Sequence, residues 1–433
     1  MIKNNISRNW FFWWGLFFPM PALAFGLGDY KVGAANFILL CIVLKKIVEK
    51  IRSKKLINRI YTLHFAFAIS IVFTMCVTVL TMKNDWMVKA FGFEIKMIFF
   101  LFCFIFLFNN EELKKNKMFF FEGLFYASVI NLIWGWAQMY FGYIQGININ
   151  KVVFGELLGI DAGINWDQSV AHNIVYRISG LSWETASFAI IEIIGLILTK
   201  NYYLRVIIIL TLLASTSKTA IILMAVLFVY WLYQKLKFIF YKEYIFLRKK
   251  EIFKITVMLA LIIGVVSCFS DFAFDYFQRA IDLGLLVIES LTTNTNASAN
   301  VHKMYYEKVV YILDNSSIYN CLFGYGMFTA GFPYTQNNLI AFNGVWSPET
   351  DVITILIGNG VIGFIIYYLI LAKGFLKAED YIDKKFILVQ IIGGITYLYC
   401  QGWMIPLFMI TLSNLGNNDK NPLKITNNCR GGI

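Results

Sequence analysis

Apolar runs close to the length of a bilayer crossing recur from one end of this chain to the other, and clusters of lysine and arginine separate them. Runs of ~20 such residues form helices that span the hydrocarbon core, because a helix satisfies its own backbone groups where no water can. Of the 433 residues, 59% are hydrophobic and 15% charged, and the mean hydropathy is +0.65. A soluble surface carries about twice that charge. Candidate spans fall at 10–28, 31–47, 60–80, 91–108, 118–144, 184–199, 202–215, 218–233, 254–270, 352–372, 386–400 and 401–415. The expectation is an all-α polytopic membrane protein of about 12 spans, a single integral membrane domain over 1–433. The first run contains Pro19 and Pro21 and no clear small-residue cleavage site, so it reads as a retained helix rather than a signal peptide. The pair at 202–215 and 218–233 is short for full spans, and the last pair, around Gln401, Gly402 and Pro406, reads equally as one broken helix.

Net charge is +12, but the basic residues sit in short loops as the positive-inside rule requires, so no nucleic-acid partner is implied. Lys45, Lys46, Lys50, Arg52, Lys54, Lys55 and Arg59 lie between the second and third spans. Lys235, Lys237, Lys242, Arg248, Lys249, Lys250 and Lys254 lie between the eighth and ninth. Both loops are then cytoplasmic, and so are both termini, including a tail over 416–433. Two long segments face outward, about 145–183 and about 271–351, the second relatively acidic. No internal repeat and no pair of broken helices of the inverted-repeat transporter kind is evident. Cys41, Cys76, Cys103, Cys268 and Cys400 lie in or beside apolar runs, and without a CxxC spacing neither a disulfide framework nor a zinc site is indicated.

Charge beside a bilayer is costly, so the outward-facing charged residues carry the functional argument. Arg177 and Glu184 flank Ile-Ser-Gly-Leu-Ser-Trp at the mouth of the sixth span. Lys218 falls at the outer end of the seventh and eighth, and Glu349 and Asp351 close the large loop. Structural readings stand beside the functional ones: an ion pair capping a helix for Arg177 and Glu184, snorkelling for Lys218. An arginine fork and a lysine beside an apolar wall suit a diphosphate carried on a lipid. A carboxylate within reach would take the proton of an incoming hydroxyl, and stabilising the departing diphosphate needs no metal in principle. No metal site or cofactor is expected; Glu349-Thr-Asp351 has a suitable spacing but follows Pro348. Gly324 and Gly326, around Tyr325, permit close backbone approach to a ligand. Tyr325, Trp183 and Trp346 are of a type that stacks on sugars, although interfacial aromatic belts account for many such residues. Asn131 and Gln138 share a helix face and suit interhelical hydrogen bonding, while Glu192, within a span, needs a partner.

Four blocks in order resemble the O-antigen polymerase and related exopolysaccharide polymerase family. Arg177-Ile-Ser-Gly-Leu-Ser-Trp-Glu184 is similar to the family's Arg-x-x-Gly-Leu-x-x-Glu-Pro-Ser block, with Thr185 in place of the proline. Thr216-Ser-Lys-Thr-Ala220 resembles Thr-x-Ser-Arg-Thr-Gly, with Lys218 in place of the arginine. Leu322-Phe-Gly-Tyr-Gly326 resembles a Leu-x-Gly-x-Gly turn. Ser347-Pro-Glu-Thr-Asp351, followed by Asn359-Gly-Val-Ile-Gly363, resembles the acidic residue and glycine-rich helix that close the loop. Related O-antigen ligases carry a His-Asn pair where Glu349-Thr350-Asp351 stands here. The resemblance implies a GT-C-like fold in a bacterial plasma membrane, with the active site facing outward. Its substrates would be undecaprenyl-diphosphate-linked oligosaccharides, with membrane lipids, a flippase and a chain-length regulator as partners. It implies Arg177 and Lys218 as diphosphate ligands, and Glu184 or Asp351 as base or acceptor-orienting group. Glu349 would lie in the binding site, with Gly324, Tyr325 and Gly326 shaping its sugar-binding part. Ligation to lipid A–core and lipid-linked oligosaccharide transport are the alternatives.

Overall fold

The computed structural model describes residues 9–20, 24–27, 30–53, 61–81, 85–157, 170–171, 175–176, 178–182, 185–215, 217–241, 297–337, 348, 350–398 and 400–415. Helix α1 (Trp10–Phe17) leads to an antiparallel hairpin of β1 (Ala24–Leu27) and β2 (Tyr30–Gly33), which pairs Ala24 with Gly33. Next come α2 (Ala34–Ser53), α3 (Thr62–Thr81), α4 (Asp85–Leu107) and α5 (Asn110–Gln145). A π-helical segment (Lys151–Leu157) and a small hairpin, β3 (Val170–Ala171) with β4 (Val175–Tyr176), precede α6 (Thr185–Leu198), α7 (Tyr202–Ala214) and α8 (Lys218–Tyr241). The remaining helices are α9 (Ala297–Asp314), α10 (Ile318–Phe323), α11 (Phe332–Gln336), α12 (Asp351–Lys377), α13 (Tyr381–Thr396) and α14 (Cys400–Ser413).

The described residues are therefore overwhelmingly helical, as expected, with two small hairpins among them that the all-α expectation did not contain. The first expected span, 10–28, is not one helix: α1 stops at Phe17, capped by Phe18 just before Pro19. Proline lacks the N–H that continues a helix and biases the residue before it away from helical geometry. Among the described residues, three helices are long and apolar enough to cross a membrane, Thr62–Leu80, Asn110–Gly142 and Asp351–Lys377. Shorter apolar helices cover Thr185–Leu198, Tyr202–Ala214, Thr219–Gln234 and Gly402–Ser413. The last pair of expected spans is two helices: α13 ends at an extended Tyr397, and Pro406 lies inside α14. The expected span 254–270 and the tail 416–433 lie outside the described residues.

Short polar side chains start the helices. Asn9, Asn109, Asn201, Ser317 and Asp380 each accept a backbone N–H of the first turn, which satisfies donors that the helix itself leaves free. The core is aromatic and aliphatic, with Trp14 against Phe120 at 4.5 Å and Phe67, Phe104, Phe188 and Leu371 fully enclosed. Phe37, Leu44, Phe73, Ile133, Ile365 and Leu376 point outward, an apolar perimeter that suits lipid.

One end of the bundle is tied by charge. Lys46 of α2 reaches Glu112 of α5 at 2.5 Å, and Lys114 reaches Glu379 at 2.9 Å. Lys117 of α5 and Asp383 of α13 form a fully buried ion pair. Tyr61 bonds Asn110, whose amide donates to the Leu412 carbonyl at 3.0 Å. The ends gathered here are those that the lysine and arginine pattern assigns to a single side.

At the opposite end α12 is interrupted. Gly360 has φ 65° and ψ −178°, and the carbonyls of Ile357 and Gly358 accept the N–H groups of Tyr325 and Gly326 at 2.9 and 2.8 Å. The turn after α10 thus supplies donors to a broken helix, a requirement wherever backbone is cut off from water. Thr74 of α3 donates to the Phe323 carbonyl and pins the same segment from the other side. Gly358 is seven residues from the start of α12 at Asp351, so the contact lies about 10 Å along that helix.

Candidate functional site

The stretch between Arg177 and Glu184 is held by one face of α5. Gln138 Oε1 accepts the N–H groups of Ser179 and Gly180 at 3.2 and 2.7 Å, and its Nε2 donates to Ser179 Oγ at 3.2 Å. Asn131 Oδ1 accepts the Leu181 N–H at 2.7 Å. Trp134, between them on the same face, donates to Asn150 Oδ1 at 2.6 Å, and Asn150 donates to the Gly180 carbonyl at 3.2 Å. A polar helical stripe expected to bind another helix binds a loop instead, because three consecutive free N–H groups need acceptors at depth. Arg177 and Glu184 themselves lie outside the described residues, as do Trp183, Trp346 and Glu349; for Lys218 the backbone alone is described.

The far end of α13 is the common wall of the site. Asp351, the first residue of α12, is 1% exposed. Gln390 Nε2 donates to its Oδ2 at 3.4 Å, and a side chain on Gly394 would run into its carboxylate. Tyr306 of α9 donates to the Ile395 carbonyl at 3.0 Å. Burial pushes the Tyr306 hydroxyl above its ordinary pKa; Thr350 opposes that shift and the Asp351 carboxylate adds to it. Three residues after Glu184, Ser187 Oγ lies 3.0 Å from the Tyr397 hydroxyl.

Lys218 enters through the register of α8 on α13. Tyr230 stacks on Tyr381 at 5.4 Å near the charged end. From Tyr230 back to Lys218, and from Tyr381 forward to Gly393, the antiparallel helices each advance about 18 Å. The start of α8 is therefore level with the stretch of α13 against which Asp351 packs. The N-termini of α6, α8 and α12, each a partial positive charge, lie at the same end. A carboxylate among such termini, with an amide donor on one oxygen, can orient or deprotonate a hydroxyl, and the termini favour an anion.

The Gly-Tyr-Gly turn packs on α12 itself. The close approach its glycines permit is to the chain's own α12: at Gly324 (φ 84°) a side chain would collide with the Gly358 carbonyl, and at Gly360 with that of Leu322. Tyr325 joins the apolar cluster beneath α9, with its hydroxyl 2.7 Å from Ser316 Oγ. Glu192 finds a partner in Ser128, which donates at 3.0 Å.

Tyr306, Gln390 and Glu94 are not among the sequence candidates. Glu94 had a signal, a carboxylate inside the apolar run 91–108. The other two are uncharged side chains of common types, and only their neighbours distinguish them. No protein-family model matches the chain, and no curated protein matches it.

Proposed function

We propose that the protein is a bacterial surface-polysaccharide (O-antigen) polymerase, a glycosyltransferase of GT-C type acting at the outer face of the plasma membrane. Its substrates are oligosaccharide repeat units on undecaprenyl diphosphate. A hydroxyl of the incoming unit's non-reducing-end sugar attacks the anomeric carbon of the growing chain. The new glycosidic bond forms as the anomeric bond to diphosphate breaks, the hydroxyl proton passes to a carboxylate, and undecaprenyl diphosphate leaves. Arg177 and Lys218 hold the diphosphate, Glu184 or Asp351 takes the proton or orients the acceptor, and Glu349 contributes to the binding site.

The observation that carries this reading is the wall formed by α13, which meets the start of α6 through Ser187 and Tyr397 and the start of α12 through Gln390 and Asp351. The starts of α6 and α12, which directly follow or begin two blocks of the family resemblance, adjoin that wall, which supports the reading. Three helix N-termini and two basic residues suit a departing diphosphate, and stabilising it is the dominant catalytic need.

The test is reconstitution. Purified protein in detergent with lipid-linked repeat units should give a ladder of multimers on gels, and Arg177→Ala should abolish the ladder while staying folded. Unchanged monomeric units with the wild type would overturn the reading. The break in α12 favours a second reading, lipid-linked oligosaccharide transport, since interrupted helices line transport sites. Translocation of labelled lipid-linked units in proteoliposomes, without any ladder, would select it.

A further inference from the structure

The outward segment expected over 271–351 is relatively acidic, yet no charged residue occurs between Asp314 and Glu349. Within that uncharged stretch, α10 and the turn after it enter the bundle rather than lying over it. Thr74, which donates to the Phe323 carbonyl, is six residues inside the Leu80 end of the apolar stretch of α3. Gly358, which accepts from Gly326, is seven residues inside the start of α12. Each contact therefore lies about 10 Å below the outer end of its helix. The side chains that α10 leaves uncovered are apolar: Ile318, Tyr319 and Leu322 are 69%, 64% and 37% exposed. They adjoin uncovered rings on two neighbouring helices. Phe323 stacks on the half-exposed Phe73 of α3 at 5.5 Å, and Phe328 on the half-exposed Phe93 of α4 at 5.2 Å. Polar groups turn the other way. Asn320 is buried, and Cys321 Sγ donates to the Leu313 carbonyl at 3.2 Å. The backbone N–H groups of Asn320, Cys321, Gly324, Tyr325 and Gly326 all find acceptors within the protein. Gly324 and Gly326, where the chain is not helical, are covered. Hydrocarbon demands that arrangement, because it offers no partner to a free backbone group.

We propose that α10 and the turn after it form a re-entrant segment, and that its uncovered face, Ile318, Tyr319 and Leu322, contacts the acyl chains of the outer leaflet. Lipid is the occupant because the face is continuous with the apolar perimeter through Phe73 on one side and Phe93 on the other. It carries no charge by which a protein partner would be selected. In water the same three side chains would be an unpartnered apolar patch. Tyr319 suits the boundary, where an amphipathic ring keeps its body in hydrocarbon and its hydroxyl toward the headgroups. The segment is thus gripped from both sides, by lipid on its outer face and by the broken α12 on its inner one. This placement depends on α3 and α12 crossing the membrane and not on glycosyl transfer, so each is decided by its own experiment.

The full-length protein in phospholipid vesicles is photolysed with an apolar aryl diazirine dissolved in the bilayer and, separately, with a charged diazirine confined to water. Mass spectrometry of peptides reads the label. Peptides carrying Ile133 of α5 and Ile365 of α12, both uncovered, are the internal reference for lipid contact. The peptide carrying Ile318 to Phe323 should take the apolar probe as the reference peptides do, and the water-borne probe several-fold less. The reverse preference would overturn the proposal. Protection from both probes would overturn it too, by assigning the face to a second copy or another protein. Unlabelled reference peptides would remove the lipid-facing perimeter on which it rests. Tyr319→Asp should lower the melting temperature in vesicles by several degrees, since a carboxylate in hydrocarbon is costly. On a face in water the same change costs nothing, so an unchanged melt would also overturn the proposal. Should the variant fail to fold, labelling of the wild type still decides.

Discussion

Gly326 and Gly358 are joined backbone to backbone, N–H to carbonyl at 2.8 Å, and a side chain on Gly358 would strike the Cα of Met327 at 2.7 Å. This contact seats the loop turn on the broken helix. Gly358→Ala should therefore cost about 1–3 kcal/mol, the usual range for overpacking. The check is a lower melting temperature and reduced yield of monodisperse protein. An unchanged melt would show that the turn can shift without loss.

Gln138 carries two backbone N–H groups of the segment that joins Arg177 to Glu184. Gln138→Leu leaves both donors unsatisfied, at about 1–3 kcal/mol for each buried group. The expected outcome is a protein that remains folded but forms multimers at least ~10-fold more slowly, because misplaced reacting groups are costly. Full polymerising activity in this variant would separate the α5 clamp from the chemistry.

Asp351 is held by Gln390 and crowded by Gly394. Asp351→Asn preserves the shape and removes the carboxylate, so the rate of ladder formation should fall about 100-fold or more if the proposed polymerase uses Asp351 to take the proton. Substrate binding, followed by equilibrium dialysis of a labelled repeat unit, should change little. A near-normal rate would leave Glu184 as the candidate base.

Lys117 and Asp383 form an ion pair at 2% and 0% side-chain exposure. Removing one partner strands the other, so Asp383→Leu alone should destabilise by about 3–5 kcal/mol. Combining it with Lys117→Met should recover most of that loss, because an apolar pair of similar volume avoids the desolvation cost. The melting temperatures of the three proteins read this directly, and no recovery in the double variant would show that the pair has further partners.

Tyr334 donates to the Tyr305 carbonyl at 2.8 Å, and burial raises its hydroxyl well above its ordinary value, with Tyr305 and Tyr306 acting the same way. A folded-state pKa above the unfolded one gives stability that is complete below the unfolded value, about 10. That contribution is lost as pH climbs from there toward the folded value. Melting temperature should fall above about pH 10, and less steeply in Tyr334→Phe. At neutral pH the variant should be weaker by about 1 kcal/mol for the lost hydrogen bond. Parallel alkaline limbs would assign the fall to other groups.

Local periodicity and charge are what the amino-acid order expresses without help from packing. The stretches of α2 to α8 and α12 to α14 are legible as apolar runs, because a helix closes its hydrogen bonds within a few residues of each position. The grouping of Lys46, Lys114 and Lys117 with Glu112, Glu379 and Asp383 agrees with the charge pattern that divides the helix ends between two sides. Asn131 and Gln138 are legible as a shared face, and Glu192 as a carboxylate in need of a partner. Pro19 and Pro21 are legible too, although the apolar run around them wrongly suggests a helix continuing to residue 28.

Which residues meet is settled by tertiary packing. Gly360 breaks α12 because the backbone at Leu322 must pass where a side chain would stand, and hydrophobicity along α12 carries no trace of that requirement. Asp351 meets Gln390 because α13 folds back along α12, and Glu94 faces Thr78 and Thr329 because a distant turn ends in a glycine. Hydropathy sets which segments are helices. The pairing of buried polar atoms is set by close approach between segments far apart in the chain, which only packing in three dimensions determines.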